Sequence, residues 1–416
     1  MTERVIVIGG GLVGLCSAYF LRRAGADVVV LERDRVGSGA SRGNAGEICP
    51  GEVEPLPAPG LVRHAIGNLF RRDAALFVEP RFAPFMAGFL VRLARHCTRT
   101  AYERGLSAMA ELGRRTFELY DELAREGIAV GMGTDGYLIC CSSVEEATAE
   151  REAMVRLAEH GLARTPEPVL GAAEIADLEP SLSEYARAGF VQPGERWIDP
   201  SGFVDRLAGS LRGMGVEVVE GARVTRVRED GGRVTVESSL GRFEGETALV
   251  AAGAWSRELC RALGVRLPMQ PGKGYSFSVR PRPMPRRVLN FPDAHVIATP
   301  MGERLRVAGT MEFDGTYDRF DRRRIEAIVR GVSPYFRGVE WAERSEEWVG
   351  PRPMTPDGLP YIGPLPGRSR VFVAAGHNML GVTLAPATGK VVAGLVLSGD
   401  PGIDLAPFSP SRFARR

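Results

Sequence analysis

The sequence predicts an α/β protein, a Rossmann-type dinucleotide-binding domain joined to an α+β second domain with an antiparallel sheet. Three stretches carry that expectation. Residues 4–32, RVIVIGGGLVGLCSAYFLRRAGADVVVLE, read as strand, glycine turn, helix, strand and acid. Residues 247–256, TALVAAGAWS, read as a buried strand ending in small residues, which is where an α/β sheet meets its ligand. Residues 269–279 and 294–311 alternate with a period of two, the pattern of antiparallel strands. At 416 residues the chain exceeds the usual size of one domain, so two are expected.

Val5 to Ile8 is the β-branched run of a strand buried in a parallel sheet, and it breaks into Gly9-Gly10-Gly11-Leu12-Val13-Gly14. Gly9 permits the tight turn, Gly11 lets backbone approach a pyrophosphate, and Gly14 lets the next helix pack closely on the strand. The helix start, Leu12 and Val13, then offers free N–H groups to a diphosphate. The second strand, Asp27 to Leu31, ends at Glu32, placed to accept from both ribose hydroxyls. An acid there disfavours a 2′-phosphate, so the motif admits NAD or FAD but not NADP.

From Arg33 to Glu47 glycines and small residues let backbone lie against a ligand. Ser41, Arg42 and Asn44 add polar handles, with Ala45 and Gly46 behind them. Prolines crowd residues 52–60, an extended crossing out of the nucleotide domain. Residues 61–126 carry helical periodicity, with Phe85, Met86, Phe89, Leu90 and Leu93 as one packing stripe. A buried strand at 136–141, a charged helix at 144–161 and a strand at 188–193 follow. Trp197 is expected in a loop capping the core, before a helix that starts at Asp199-Pro200 and runs to about Gly213.

Residues 216–219 are strand-like, and Ala222 to Val227, including Val224, is expected to return to the nucleotide sheet. Two polar hairpin strands centred on Gly231-Gly232 and Gly241 lead to the 247–256 strand, which offers Ala252, Gly253 and Trp255 to a ligand. In the second domain, Tyr275 and His295 are expected on strands, ahead of a charged helix at 319–330. The chain closes with Gly350-Pro351-Arg352-Pro353, a strand at 371–375 and a glycine-bounded turn from Gly376 to Gly389. A terminal helix runs from there to about Leu397.

Composition narrows the partners. Lys+Arg 53 against Asp+Glu 51 gives +2 with no long like-charge block, so neither nucleic acid nor an anionic membrane is indicated. The six cysteines show no C-x-x-C pair and no metal-ligand spacing, which suits reduced thiols in a cytoplasmic protein and no metal site. By sequence, no apolar run is expected to span a bilayer.

Taken together, these motifs resemble the family of FAD-dependent D-amino-acid oxidoreductases, which includes glycine oxidase, sarcosine oxidase and bacterial D-amino-acid dehydrogenase. The likeness covers nearly the whole chain. Its carriers are Gly9–Gly14 with Glu32, residues 37–46, Ala251-Ala252-Gly253-Ala254-Trp255-Ser256, Lys273-Gly274-Tyr275-Ser276, Arg352-Pro353 with Pro356-Asp357-Gly358, and Gly376-His377 with Leu384–Gly389. The Lys-Gly-Tyr-Ser and Arg-Pro-Met-Thr-Pro-Asp-Gly spellings resemble the dehydrogenase branch most.

The resemblance implies a Rossmann-type FAD-binding domain assembled from residues 1–50, 196–262 and 349–416. An antiparallel-sheet substrate domain would comprise residues 51–195 and 263–348. It implies oxidation of a D-amino acid or related small amine, with hydride passing from Cα to flavin N5 and the imine hydrolysed to a 2-oxo acid. Arg352 would clamp the carboxylate bidentately. Tyr275, His295 and His377 would line the pocket, and backbone from Asn378 through Met379, Leu380, Gly381, Val382 and Thr383 would face the flavin ring. Gly350 stands where covalent relatives attach flavin through cysteine, so non-covalent FAD is expected. Arg306 stands where oxygen-using relatives carry a lysine, which favours a quinone or another carrier as acceptor. Two alternatives remain open: an oxygen-using amine oxidase, and a non-catalytic flavin-bound interaction subunit.

Overall fold

The computed structural model describes residues 3–60, 74–159 and 163–414. Two large sheets organise it. The first has six strands in the order Tyr361–Pro364, Val371–Ala375, Thr247–Val250, Arg4–Ile8, Asp27–Leu31 and Glu217–Val219. Only the edge pair 361–364 and 371–375 runs antiparallel; the other strands pair in parallel, Val5 lying opposite Val28 on one side and Thr247 on the other. Parallel strands need both faces covered, which is why residues 5–8 and 28–31 are apolar at every position.

Helix Leu12–Arg23 covers one face, and it can do so only because of two glycines. A Cβ on Gly14 would stand 2.0 Å from the Gly9 carbonyl oxygen, and one on Gly389 would stand 2.6 Å from the Cys16 carbonyl carbon. Gly389 belongs to helix Gly381–Ser398, which therefore meets the first helix backbone to backbone. By length and hydropathy Gly381–Ser398 could cross a membrane, contrary to expectation, but 61% of it is buried inside the protein, so it is a core helix. It begins at Gly381, earlier than expected, and carries Pro386 within it.

The second sheet has nine strands. Eight run in the order Ser345–Met354, Gln270–Val279, Arg304–Phe313, Val296–Met301, Val288–Phe291, Tyr137–Cys141, Ala188–Gln192 and Leu170–Gly171, and Leu76–Val78 pairs with Arg304–Phe313. Helix Arg322–Val332 seals one face with Ile325, Ile328 and Val332. Lys273 is fully buried in this sheet, its Nζ bonding Asp314 Oδ2 at 2.8 Å and the Arg319 carbonyl at 2.7 Å, with Glu312 Oε2 at 3.1 Å.

Several expectations shift. Val224–Asp230 joins a separate three-stranded sheet with Arg233–Ser238 and Gly241–Gly245, because Gly231 and Gly232, both at positive φ, fold it into a hairpin. Trp197 lies on a short strand, Arg196–Trp197, paired with Glu47–Ile48. His295 sits in a turn at φ 49°, its N–H donating to the Pro292 carbonyl, and not on a strand. The charged helix starts at Arg322, where Asp321 accepts from the Arg323 N–H. Within the predicted helical region, Ala83–His96, Arg99–Gly113 and Thr116–Arg125 are helices, and residues 61–73 lie outside the described residues. The 144–161 helix is described as Val144–Glu159.

Candidate functional site

A cavity of about 1280 Å³ runs from the C-terminal ends of the parallel strands to the nine-stranded sheet. It starts at the glycine turn. Gly9 adopts φ 115°, and a Cβ there would strike the Ala251 carbonyl oxygen at 2.5 Å. Glu32 accepts from Gly10 N–H at 2.7 Å and from Asp34 N–H at 2.9 Å. Ser41 Oγ accepts from Leu12 N–H at 3.0 Å, leaving the Gly11 N–H without a protein partner among the described residues. The Arg33 guanidinium lies 4.4 Å from the Trp255 ring, which stacks on Tyr317.

Helix Leu12–Arg23 opens onto this cavity with no acidic residue in its first turn, and the residue at its N-cap makes no side-chain capping bond. Helix Gly381–Ser398 does the same at the other end, with Leu380, Gly381, Val382 and Thr383 on the wall. Two positive helix ends facing one elongated cavity fit a dinucleotide, its diphosphate at the first and an anionic ring edge at the second. Neighbours fix the second end: Tyr120 Oη donates to the Val382 carbonyl at 2.7 Å, and Thr383 Oγ1 donates to the Glu47 carbonyl at 3.2 Å.

The expected contacts Gly9, Gly11, Leu12, Val13, Glu32, Arg33, Ser41, Asn44, Ala45 and Gly46 all line the cavity. So do Val224, Ala252, Gly253, Trp255, Gly350 and residues 378–383. Two do not. Gly14 lies beneath the turn, against Gly9, and Arg42 is turned away, donating to the Val36 carbonyl at 2.8 Å and pairing with Asp205. Asn44 and Asn378 reach the wall, but their side chains are committed to shaping their own turns. Asn44 Nδ2 donates to the Ser41 carbonyl, and Asn378 Nδ2 to the Gly358 and Gly376 carbonyls.

Arg352 projects from strand Ser345–Met354 into the cavity. A Cβ on Gly274 would stand 2.4 Å from its Cζ, so the glycine of Lys273-Gly274-Tyr275 makes the space for the guanidinium. Nη1 donates to the Thr310 carbonyl at 2.7 Å, which aims the fork. Thr310 itself is held at φ 56°, an unusual backbone for a β-branched residue. Burial pulls the Arg352 pKa down to about 10, opposed by the negative field of Glu47, so the guanidinium stays charged at neutral pH.

The other three expected pocket residues differ in kind. The Tyr275 hydroxyl donates to Glu312, in the Lys273 network, and burial followed by that bond raises its pKa. His295 lines the cavity from an exposed position. His377 is buried with Nε2 2.9 Å from Thr388 Oγ1, and burial lowers its pKa to about 4, so it is neutral. The unfolded chain takes up a proton near the ordinary 6.5 while the folded one refuses it until about 4, so His377 lowers stability as pH falls through this window. Wild type should therefore lose about 2 kcal/mol more than His377→Gln between pH 7 and pH 5, read from urea midpoints. Parallel curves would remove His377 from the acid limb.

Sequence reasoning missed several wall residues. Met86, Phe89, Leu90 and Leu93, expected as packing only, also line the cavity. The Trp348 ring occupies the space where a Cβ on Gly43 or Gly350 would fall, at 2.1 and 2.0 Å; its place one residue before Val349-Gly350 was the available signal. Glu47 and Glu52 also face the cavity, and no local pattern announces them.

Comparison with known proteins follows the same lines. The family model described as FAD dependent oxidoreductase (DAO) matches residues 4–395. The chain is 34% identical over 423 residues to a D-amino acid dehydrogenase of Methylobacterium nodulans, covering 99% of each. It is 33% identical over 419 residues to that of Rhizorhabdus wittichii, covering 99% of this chain and 100% of the relative. Among solved structures, glycine oxidase from Geobacillus kaustophilus superposes with a TM-score of 0.74 at 26% identity, covering 99% of both chains. L-proline dehydrogenase from P. horikoshii shares the fold, with a TM-score of 0.73 at 18% identity over 99% of this chain and 98% of that one.

Proposed function

The chain belongs to the DAO family of FAD-dependent oxidoreductases, and we propose that it oxidises the Cα–N bond of a D-amino acid to an imine. The observation that carries this reading is Arg352. It is a charged guanidinium on the cavity wall whose one hydrogen bond among the described residues is from Nη1 to the Thr310 carbonyl, which leaves its other N–H donors without a protein partner there. A planar fork so placed matches a carboxylate. Relatives named D-amino acid dehydrogenase at 34% and 33% identity support the D configuration.

Bound FAD supplies a two-electron acceptor for the Cα hydride. It would be held without a covalent link, by the Gly9–Val13 turn and Glu32 at the adenosine end and by backbone from Met379 to Thr383 at the ring. We propose the six-stranded sheet as the cofactor half and the nine-stranded sheet as the substrate half, with Arg352 on the latter although residues 349–416 were expected in the former. Arg352 fixes the carboxylate and thereby orients Cα. Tyr275, its hydroxyl bonded to Glu312, and His377, a neutral imidazole with Nε2 at Thr388, shape the pocket and transfer no proton. The imine leaves to be hydrolysed by water to a 2-oxo acid.

A quinone or another carrier is the proposed acceptor. Arg306 lies outside the cavity wall, bonded to Ser278 Oγ and the Glu346 carbonyl at 3.2 Å each. Six unpaired thiols, five of them buried, suit the cytoplasm, and a peripheral seat at the inner membrane would bring a quinone within reach. The test is anaerobic mixing of the FAD-loaded protein with a panel of D- and L-amino acids. D-isomers should bleach the flavin absorbance, and re-oxidation by a soluble quinone should outpace that by air. Failure of every 2-amino acid to bleach it would end the reading, and rapid peroxide formation in air would move the enzyme to the oxidases.

A further inference from the structure

The cavity wall near Arg352 gathers acidic side chains whose hydrogen bonding the protein leaves incomplete. Glu47 stands on the strand Glu47–Ile48, and Glu52 on the short turn Pro50–Glu52 that follows. Pairing of Ile48 with Arg196 brings the preceding residue, Glu195, against the same turn, where a Cβ on Gly51 would stand 2.3 Å from Glu195 Oε1. Three carboxyls from two distant stretches are thus gathered by backbone geometry.

Their bonding is incomplete. Glu47 Oε1, Glu52 Oε1 and Glu195 Oε2 are buried and have no hydrogen-bond partner. Glu195 is only 2% exposed; the Gly51 backbone N–H serves its carboxyl, and Oε2 is left without a partner against the turn that carries Glu52. Among the described residues the only cation whose field reaches the three is Arg352, which acts on Glu47. Burial first raises all three: Glu47 goes well above normal with repulsion from Glu52 and Glu195 added and the field of Arg352 opposing, Glu195 goes to about 9 with Glu52 added, and Glu52 goes to about 7. For Glu52 the repelling neighbours are Glu54 and Glu150, and Glu150 also lines the cavity.

Such an arrangement destabilises the ligand-free fold and calls for a cation. A metal ion is a poor match, since no group of three or more acids, histidines or cysteines among the described residues is arranged to hold one. An ordinary 2-amino acid does not suffice either. Its carboxylate takes Arg352 and its single ammonium can meet only one of the acids, adding no net charge.

We propose that the substrate is a diamino acid, a 2-amino acid whose side chain ends in an amine or guanidinium, with that distal cation held by Glu47 and Glu52 and backed by Glu195. This rests on the amino-acid oxidation proposed above and names its substrate class. The α-carboxylate on Arg352 and the distal cation on the acids hold the substrate at both ends, which orients Cα more firmly than one contact does.

The test uses matched pairs on the FAD-loaded protein under anaerobic conditions: D-lysine against D-norleucine, and D-arginine against D-citrulline. The cationic member should reduce the flavin with roughly 100-fold higher efficiency, the scale of a buried charge pair. Glu47→Gln and Glu52→Gln should bring that ratio down toward one. A second measurement needs neither turnover nor a variant: 6-aminohexanoate should perturb the flavin spectrum at lower concentration than hexanoate. Equal or better reduction by the neutral member, a ratio that survives both substitutions, or equal binding of the two hexanoates would each overturn the proposal. Reduction by norleucine alone would sink the diamino-acid assignment and leave amino-acid oxidation standing, whereas no reduction by any 2-amino acid would remove both.

Discussion

Arg352→Ala is expected to raise the dissociation constant for a 2-amino acid by roughly 150- to 4000-fold, the cost of about 3–5 kcal/mol for breaking a buried charge pair. The guanidinium sits deep in the cavity, fixed at Nη1 by the Thr310 carbonyl and given room by Gly274. Removing it leaves the substrate carboxylate in a low-dielectric space with no counter-charge, and leaves Glu47 without the one cation in its field. Arg352→Lys should recover only part of the loss, because a point charge cannot reproduce two parallel N–H donors. Anaerobic flavin-reduction titrations measure this directly, with a simple amine lacking the carboxylate as the internal comparison. If the amine and the amino acid weaken alike, or if saturation is unchanged, Arg352 does not hold the carboxylate.

The second large effect belongs to Gly14→Ala. The added Cβ would lie 2.0 Å from the Gly9 carbonyl oxygen and 3.1 Å from its carbon. Neither atom can withdraw: Gly9 is held by its N–H bond to the Leu31 carbonyl and by the strand that precedes it. Overpacking against mobile side chains costs about 1–3 kcal/mol, and collision with fixed backbone lies at or above the top of that range. The helix start should shift off the turn, and the purified protein should lose most of its bound FAD together with several degrees of thermal midpoint. Gly209→Ala, where a Cβ meets nothing within 4 Å, is the matched control. Full flavin content in Gly14→Ala would show that the helix can yield after all.

Much of the glycine-turn region was legible because its signals are local. The order Gly9, Gly11, Gly14 and Glu32 encodes a turn, a helix start and an acid within one strand–helix–strand unit, and those residues stand where that order requires. Contacts that depend on distant segments were less so. His295 was expected on a strand, but its turn is set by the Pro292 carbonyl, a detail period-two alternation does not encode. Arg42 was expected at the ligand, yet the carboxylate of Asp205, on a helix far along the chain, draws it away. Tyr275 looked free to bind, until Glu312 on the neighbouring strand took its hydroxyl.

The sequence by itself determined the fold class and the glycine turn, and it singled out the acid proposed for the ribose and the arginine proposed for the carboxylate. Each of these depends on residues close in the chain, whose φ/ψ freedom or charge is the same in any context. Only the tertiary structure decided which side chains face the cavity and what charge collects there. Glu47, Glu52 and Glu195 come together through the pairing of residues 47–48 with 196–197, and Gly274 matters because Arg352 lies on the adjacent strand. The electrostatic field in a cavity is summed over every wall, and those walls come from segments that approach one another only when the chain is folded.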